Sequence, residues 1–385
     1  MDLSGVRILD LTRLLPGPYA TQLLSDLGAD VIKVEDTGAG DYARAMAPLT
    51  DEGIGAVFDG VNRGKRSVAI DLKAAAGQEA FYKLVESADV VFESFRPGVT
   101  ERLGIDYDTL TERNPKLVYC SLSGFGQTGP LADAVGHDLN YIGLAGMLDM
   151  TREDETSKPQ IPGYPTADMA GGLFCAFSIV SGLLSRELGN GGSYVDVSMT
   201  DVVLSFSHAL AAPAFDGETP RPGETMLTGE YPWYDVYAAK DGYVTLAALE
   251  PKFWEAFCEA VGRTDLIAAH MTEDPAEREA LREELSNLFA GKTRDEWVDL
   301  LSAVDAAFGG VYTLTEALNH PQIASRIVKR PEDGRPRIGF PAVTDRTPET
   351  DESLPAQGEH TEAVLRDVGL SPFNIDTLRR DGVID

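Results

Sequence analysis

VRILDLTRLLPGPYATQLLSDLGADVIKVE, residues 6–35, changes its hydrophobic period twice. Residues 6–11 form a short apolar run that reads as a strand. Residues 18–27 place apolar side chains at helical spacing, and residues 30–35 return to a strand-like run. A strand, a helix and a second strand in this order make a βαβ unit, whose strands lie parallel because the helix carries the chain back. Working outward, the alternation continues with strands over 67–72, 89–95 and 117–122 and a helix over 74–87. Short apolar strands separated by amphipathic helices predict a mostly parallel sheet covered on both faces, a doubly wound, Rossmann-like α/β fold.

Further along, residues 168–188 read as a long apolar helix stopped by Gly189, Gly191 and Gly192. Its uncharged part, 169–185, is shorter than the roughly 20 apolar residues of a membrane span, so a buried core helix is expected and no membrane contact. A strand follows over 194–198. Residues 213–230, with Pro and Gly interspersed, read as a linker. Beyond it, 234–238 and 243–248 flank the hairpin turn Ala239-Lys240-Asp241-Gly242, and helices are predicted over 251–261, 275–290 and 293–303. Pro331, Pro336, Pro341, Pro348 and Pro355 then space out an extended tail before two short helices near 361–368 and 374–380. The expected organisation is a large α/β domain begun by 1–212, a linker over 213–230, a smaller α+β domain over 231–322, and a return segment, 323–385, that completes the large domain.

The 385 residues carry 62 Asp and Glu against 33 Lys and Arg, a net charge of −29, with only ten Lys. Such a field repels a polyphosphate backbone, so nucleic acid is not an expected partner. An acidic, Lys-poor surface suits molar salt, where self-repulsion is screened within about 3 Å, and points to a halophilic cytoplasmic protein. Cys120, Cys175 and Cys258 stand far apart within apolar runs and read as buried thiols of a reducing compartment. The start, MDLSGVRILDLT, has no signal-peptide pattern, and no His or Cys spacing predicts a metal.

Several residues carry candidate chemistry. Gly124-Phe125-Gly126-Gln127-Thr128-Gly129 follows a predicted strand and matches G-x-G-x-x-G, but Pro130 and the irregular stretch beyond it open no helix, so a dinucleotide is not expected. The glycines are expected instead to let a ligand approach backbone N–H groups. His137 lies in the polar cluster just after this loop. Asp168 precedes the apolar helix, either as its N-cap or as a reactive carboxylate; Gly171 and Gly172, unfavourable in a helix by roughly 1 kcal/mol each, point to close approach of a second helix or a ligand. Glu250 ends a strand ahead of Pro251. Arg63, Lys65, Arg66 and Lys73, followed by Arg96 and Arg102, form either an anion site at strand ends or a set of salt bridges.

Over nearly its whole length the chain resembles the family III CoA-transferase superfamily. The general markers are Gly17-Pro18-Tyr19, Leu27-Gly28-Ala29-Asp30-Val31-Ile32-Lys33-Val34-Glu35, Arg63-Gly64-Lys65-Arg66-Ser67, Arg96-Pro97-Gly98-Val99 and Gly124-Phe125-Gly126-Gln127-Thr128-Gly129-Pro130. Gly136-His137-Asp138-Leu139-Asn140-Tyr141 and Leu249-Glu250-Pro251-Lys252-Phe253-Trp254 are similar to segments of its α-methylacyl-CoA racemase branch; transferases usually carry an aromatic residue in place of the His. The resemblance implies proton transfer at C2 of a 2-methylacyl-CoA by His137 and Asp168, with Glu250 behind the imidazole and enolate donors from backbone N–H groups or the Asp168 helix start. It implies an acyl-CoA substrate held by Lys73, Arg96 and Arg102 with Gly124, Gly126 and Tyr141, no cofactor beyond the CoA moiety, and an interlocked homodimer. Arg13 is more transferase-like, and Asp36 stands where racemases commonly place Arg. The alternative is CoA transfer to a carboxylic acid through an aspartyl-CoA intermediate on Asp168.

Overall fold

In the computed structural model, which describes residues 1–331, 335–345, 348 and 352–385, the opening segment folds as β1 (Arg7–Asp10), α1 (Pro16–Ser25) and β2 (Asp30–Glu35). Pro16, the first residue of α1, has no N–H to lose there and supplies a helical φ. The chain continues through α2 (Ala56–Val61), β3 (Arg66–Ala69), α3 (Ala75–Val85), β4 (Val90–Glu93), α4 (Val99–Leu103), α5 (Tyr107–Thr111), β5 (Val118–Ser123), α6 (Asp138–Leu144), α7 (Thr166–Ser185), β6 (Ser193–Ser198) and α8 (Met199–Ser205). The six strands form one sheet in the order β3-β2-β1-β4-β5-β6, every pair parallel. The chain therefore reverses its direction of winding between β1 and β4, where doubly wound sheets open a crevice at the carboxyl ends of their strands.

Alternation along β1 shows why both faces are covered. Ile8 and Leu9 point to opposite sides, and neither has solvent exposure. Ile8 packs with Leu24, Val90, Cys175 and Ile179, beneath α1 and α7. Leu9 packs with Ile32, Phe81, Leu84 and Leu365, beneath α3 and the C-terminal helix Thr361–Asp367.

The chain divides into two units. The first comprises Met1–Leu148, Ile161–Ser207 and Lys329–Asp385; the second comprises Asp149–Gln160 and His208–Val328. The borders thus fall at 207/208 and 328/329 instead of 212/213 and 322/323, and residues 213–230 belong to the second unit. Pro213, read as linker composition, lies inside α9 (His208–Phe215). The second unit contains the hairpin β7 (Tyr234–Ala238) and β8 (Tyr243–Ala247), α10 (Pro251–Ala260), α11 (Pro275–Phe289), α12 (Arg294–Leu301) and β9 (Phe308–Gly310), which adds antiparallel to β8. Trp233, Trp254, Phe257, Phe289 and Trp297 make its core.

One expectation is corrected by α7. Ala167, Gly171, Gly172, Cys175, Ala176, Ile179, Gly182 and Leu183 are buried, but Leu173, Phe174, Phe177, Val180 and Leu184 are exposed on the other face. A helix apolar all round has no amphipathic stripe to show which side meets the sheet. With its continuation to Asn190 it is long and apolar enough to cross a membrane by length and composition.

Candidate active site

The crevice predicted by the strand order is a cleft of about 360 Å³ lined by Arg13, Arg96, Gly124, Tyr141, His137 and Asp168, among others, all from the first unit. His137 immediately precedes α6, where helices usually recruit a side chain to cap the first turn. Here His137 and Asn140 form a capping box, in which the Asn140 Oδ1 accepts the His137 backbone N–H at 3.1 Å. His137 is exposed at the cleft.

Asp168 is the third residue of α7, not its N-cap; that position is held by Pro165, which offers no side-chain bond. Its carboxyl is pushed up to about 6, chiefly by burial and then by the negative charge of Asp138, while His137 pulls in the opposite direction. The N–H groups of the helix start are not free for an enolate: Ala167 and Asp168 donate them to the Asp138 carboxylate at 2.6 and 3.1 Å. Gly171 and Gly172 answer a packing need. A Cβ on Gly171 would lie 2.7 Å from Met199 Cγ, and one on Gly172 would run into the Pro16 carbonyl oxygen. They admit α8 and the start of α1 to close approach, leaving ligand contact out of their explanation.

The glycine loop is shaped the same way. A Cβ on Gly124 would overlap the Tyr141 ring, whose hydroxyl donates to the Gly136 carbonyl. Gly126, at φ +84°, sits beside Ser198 and Asp196 and does not line the cleft; the next residue, Gln127, donates its N–H to Asp196. The close approach expected of a ligand is made by the protein's own side chains.

A second cavity of about 720 Å³ is bordered by Lys73, Arg102, Arg13, Asp36, Tyr42 and Phe95, with Arg13 and Phe95 also lining the first. Lys73, Arg96 and Arg102 make no ion pair among the described residues, whereas Arg13 meets Asp36 at 3.0 Å. The remainder of the basic cluster is structural. Lys65 is buried against Asp10, Thr21 and Asn62, Arg66 pairs with Asp30 and Asp367, and Arg63 donates to the Asp59 carbonyl. Of the two readings of this run, salt bridges hold for Lys65 and Arg66, while Lys73, Arg96 and Arg102 make none among the described residues.

Glu250 belongs to the second unit, directly ahead of α10, and contributes no side-chain cap there. Of the three residues singled out for catalysis, His137 and Asp168 share the cleft and Glu250 stands on the other unit. Among the described residues no group of three or more His, Cys, Asp or Glu gathers as metal ligands.

Two carboxylates escaped the sequence reading. Glu93, almost fully buried at the end of β4, accepts the Ser121 hydroxyl and the Phe95 N–H, the latter at 2.6 Å; burial pushes its carboxyl up to about 7. Gln127 Nε2 donates to the same Ser121 oxygen at 3.1 Å, so the turn carrying Arg96 is tied to the glycine loop. An acid closing an otherwise apolar strand was its only sequence signal. Asp138 stood out only as a neighbour of His137, and its bonds to α7 cross thirty residues of chain.

Comparison with known proteins places this site in context. The family model of CoA-transferase family III matches residues 3–361. The chain is 34% identical over 397 residues to the α-methylacyl-CoA racemase of Mus musculus, covering all of this chain and 98% of that protein. It is 36% identical over 388 residues to the succinyl-CoA:mesaconate CoA-transferase of Haloarcula marismortui, covering 96% of each. A CAIB/BAIF family protein from Brucella suis has a solved structure that superimposes with a TM-score of 0.83 at 31% identity, over 95% of this chain and 99% of that one. Racemase and transferase stand at nearly equal distance, so identity assigns the family and leaves the reaction open. With a match across most of its length, a parallel six-stranded sheet and a carboxylate-bearing cleft at the switch point, the chain belongs to CoA-transferase family III.

Proposed function

We propose that the protein racemises 2-methylacyl-CoA thioesters by moving the C2 proton through an enolate. The observation that carries this reading is the pairing of one imidazole and one carboxyl in a single cleft, with Asp168 raised to about 6. Enantiomers are equal in energy, so a catalyst that serves both must accept and release a proton with similar ease from either side. A carboxyl near 6 stands close to the range where imidazoles titrate, roughly 6.5. Starting from one enantiomer, a neutral His137 takes the C2 proton, the C2–H electron pair moves into the thioester as an enolate, and protonated Asp168 returns a proton to the opposite face. Starting from the other, ionised Asp168 is the base and charged His137 the acid. The two resting forms hold the same number of protons and interconvert by exchange with water. The thioester carbonyl supplies the acidity of C2, and the reading requires no cofactor beyond the CoA moiety.

Lys73, Arg96 and Arg102, cations without ion pairs among the described residues, would meet the phosphates of CoA. The exposed apolar face of α7 supports a homodimer, through which Glu250 of the second unit would reach an imidazole and orient it, as a carboxylate behind a histidine does.

Transfer of CoA to a carboxylic acid is the second reading, favoured by the 36% identity to a transferase. There Asp168 attacks the thioester carbonyl and expels CoA thiolate, which then attacks the resulting anhydride to leave aspartyl-CoA and a free acid. One enantiomer of 2-methylacyl-CoA in D₂O, with no acceptor acid, separates the two. Racemisation with deuterium at C2, lost in His137→Ala, is the expected outcome. A strict requirement for an acceptor acid, with hydroxylamine converting the aspartyl-CoA at Asp168 to a hydroxamate and releasing CoA, replaces the racemase by the transferase.

A further inference from the structure

The helices that carry His137 and Asp168 begin side by side, and α7 lacks a cap of its own because Pro165 offers no acceptor side chain. The acceptor comes from α6. One oxygen of Asp138 takes the Ala167 N–H at 2.6 Å and the Asp168 N–H at 3.1 Å. Asp138 is peptide-bonded to His137, and Asp168 is one of the two donors. A single carboxylate thus joins the backbones of both reactive residues.

We propose that Asp138 is a positioning residue for the acid–base pair, its carboxylate clamping the start of α7 to the start of α6 so that imidazole and carboxyl keep a fixed gap. This inference rests on the racemase reading. Misplacing a reacting group by about 1 Å costs on the order of 10²-fold in rate, so a clamp between the two helix starts has a direct kinetic consequence. The clamp also acts through its charge. An amide oxygen would accept the same two N–H groups, yet the residue is an acid, which places a second negative charge near Asp168 and raises the affinity of that carboxyl for a proton. The other ionisable groups around this pair are His137 just ahead of α6, Tyr141 of α6, Arg96 from the turn after β4, and Arg13 from the turn after β1, which lines the same cleft; Tyr19 of α1 packs against α7 at Gly172.

Asp138→Asn keeps the acceptor and removes the charge, whereas Asp138→Ala removes both. In the full-length protein, Asp168 is titrated by carboxyl ¹³C NMR, its signal assigned by loss in Asp168→Asn, and deuterium exchange at C2 of 2-methylacyl-CoA is followed against pH. In Asp138→Asn the Asp168 titration and the limb of the pH–kcat profile that it sets are expected to move down together by about one pH unit, with KM within twofold of the wild type. In Asp138→Ala kcat is expected to fall roughly 10²-fold. An unchanged titration and pH profile in Asp138→Asn overturns the proposal, as does a folded Asp138→Ala with kcat within threefold of the wild type. If the alanine variant does not fold, the asparagine variant decides alone. Absence of exchange in the wild type sinks the racemase reading instead, and the NMR titration, which needs no turnover, still decides the effect of the clamp.

Discussion

Two groups of charges lie along the same parallel sheet and behave in opposite ways. Beneath β1, β2 and the segment before β3, Lys33 pairs with Asp41 at 2.8 Å and Lys65 with Asp10 at 3.2 Å, all four side chains without solvent exposure, while Arg44 grips Glu35 at 2.7 and 2.8 Å. Lys65 also donates to Thr21 at 2.7 Å, to Asn62 at 2.9 Å and to the Pro18 carbonyl at 3.0 Å. Every charge there has an opposite within reach. Across the switch point, Arg96 makes no ion pair among the described residues, His137 is exposed at the cleft, and Asp168 has an acid for a neighbour. Paired charges hold the sheet together, whereas the second group borders the cleft.

The sharpest way to break this contrast is at Asp168. Asp168→Asn is expected to lower C2 exchange by roughly 10³-fold or more, within the range for loss of a general acid–base group, while making the protein more stable in alkali. The sign follows from its titration. The folded-state value, about 6, lies above the ordinary 3.8, so its favourable contribution is full below 3.8 and lost as pH rises through 6. Removing the carboxyl should therefore raise stability at pH 8 by on the order of 1–3 kcal/mol and change little at pH 3.5. Urea denaturation at the two pH values checks this, and a variant less stable than the wild type at pH 8 contradicts it.

Lys65→Met tests the paired side. It leaves Asp10 buried without its ammonium, and loss of one partner of a buried pair costs about 3–5 kcal/mol. The same denaturation experiment should show a loss of that order; a loss under about 1 kcal/mol would make this pair no more important than a surface bridge.

Glu93 lies between the two groups and predicts the smallest effect. It is buried like the paired set but has a hydroxyl and an N–H for partners in place of a cation. Its folded value, about 7, exceeds the ordinary 4.5, so its stabilising contribution is present below 4.5 and lost as pH climbs through 7. Glu93→Gln should gain about 1–2 kcal/mol over the wild type at pH 8.5 and nothing at pH 4.5. Equal stability at both pH values would mean that the carboxyl is ionised at little cost and belongs with the paired group.

How far this division was legible beforehand differs residue by residue. Residues 6–35 disclosed β1, α1 and β2 because apolar period is a local property, and the hairpin around Ala239-Lys240-Asp241-Gly242 was equally local. The apolar helix α7 was found, but not which face the sheet would take, since all its sides are apolar. Lys65 and Lys73 looked alike in one basic run; only strand pairing puts the first over Asp10 and leaves the second at a cavity rim. The glycines at 171 and 172 pointed to close approach, made by Met199 and Pro16 from elsewhere in the chain, whereas Gly124, expected to admit a ligand, meets the Tyr141 ring.

Sequence alone was enough for the doubly wound architecture and the family, because hydrophobic period and short contiguous motifs are written along the chain. Tertiary structure decided which charges neutralise one another and which border the cleft, that Asp168 stands inside its helix instead of capping it, and that Asp138 joins the two reactive helix starts. Those outcomes depend on distances across the sheet and on burial, and electrostatic energies follow separation in space rather than position in the chain.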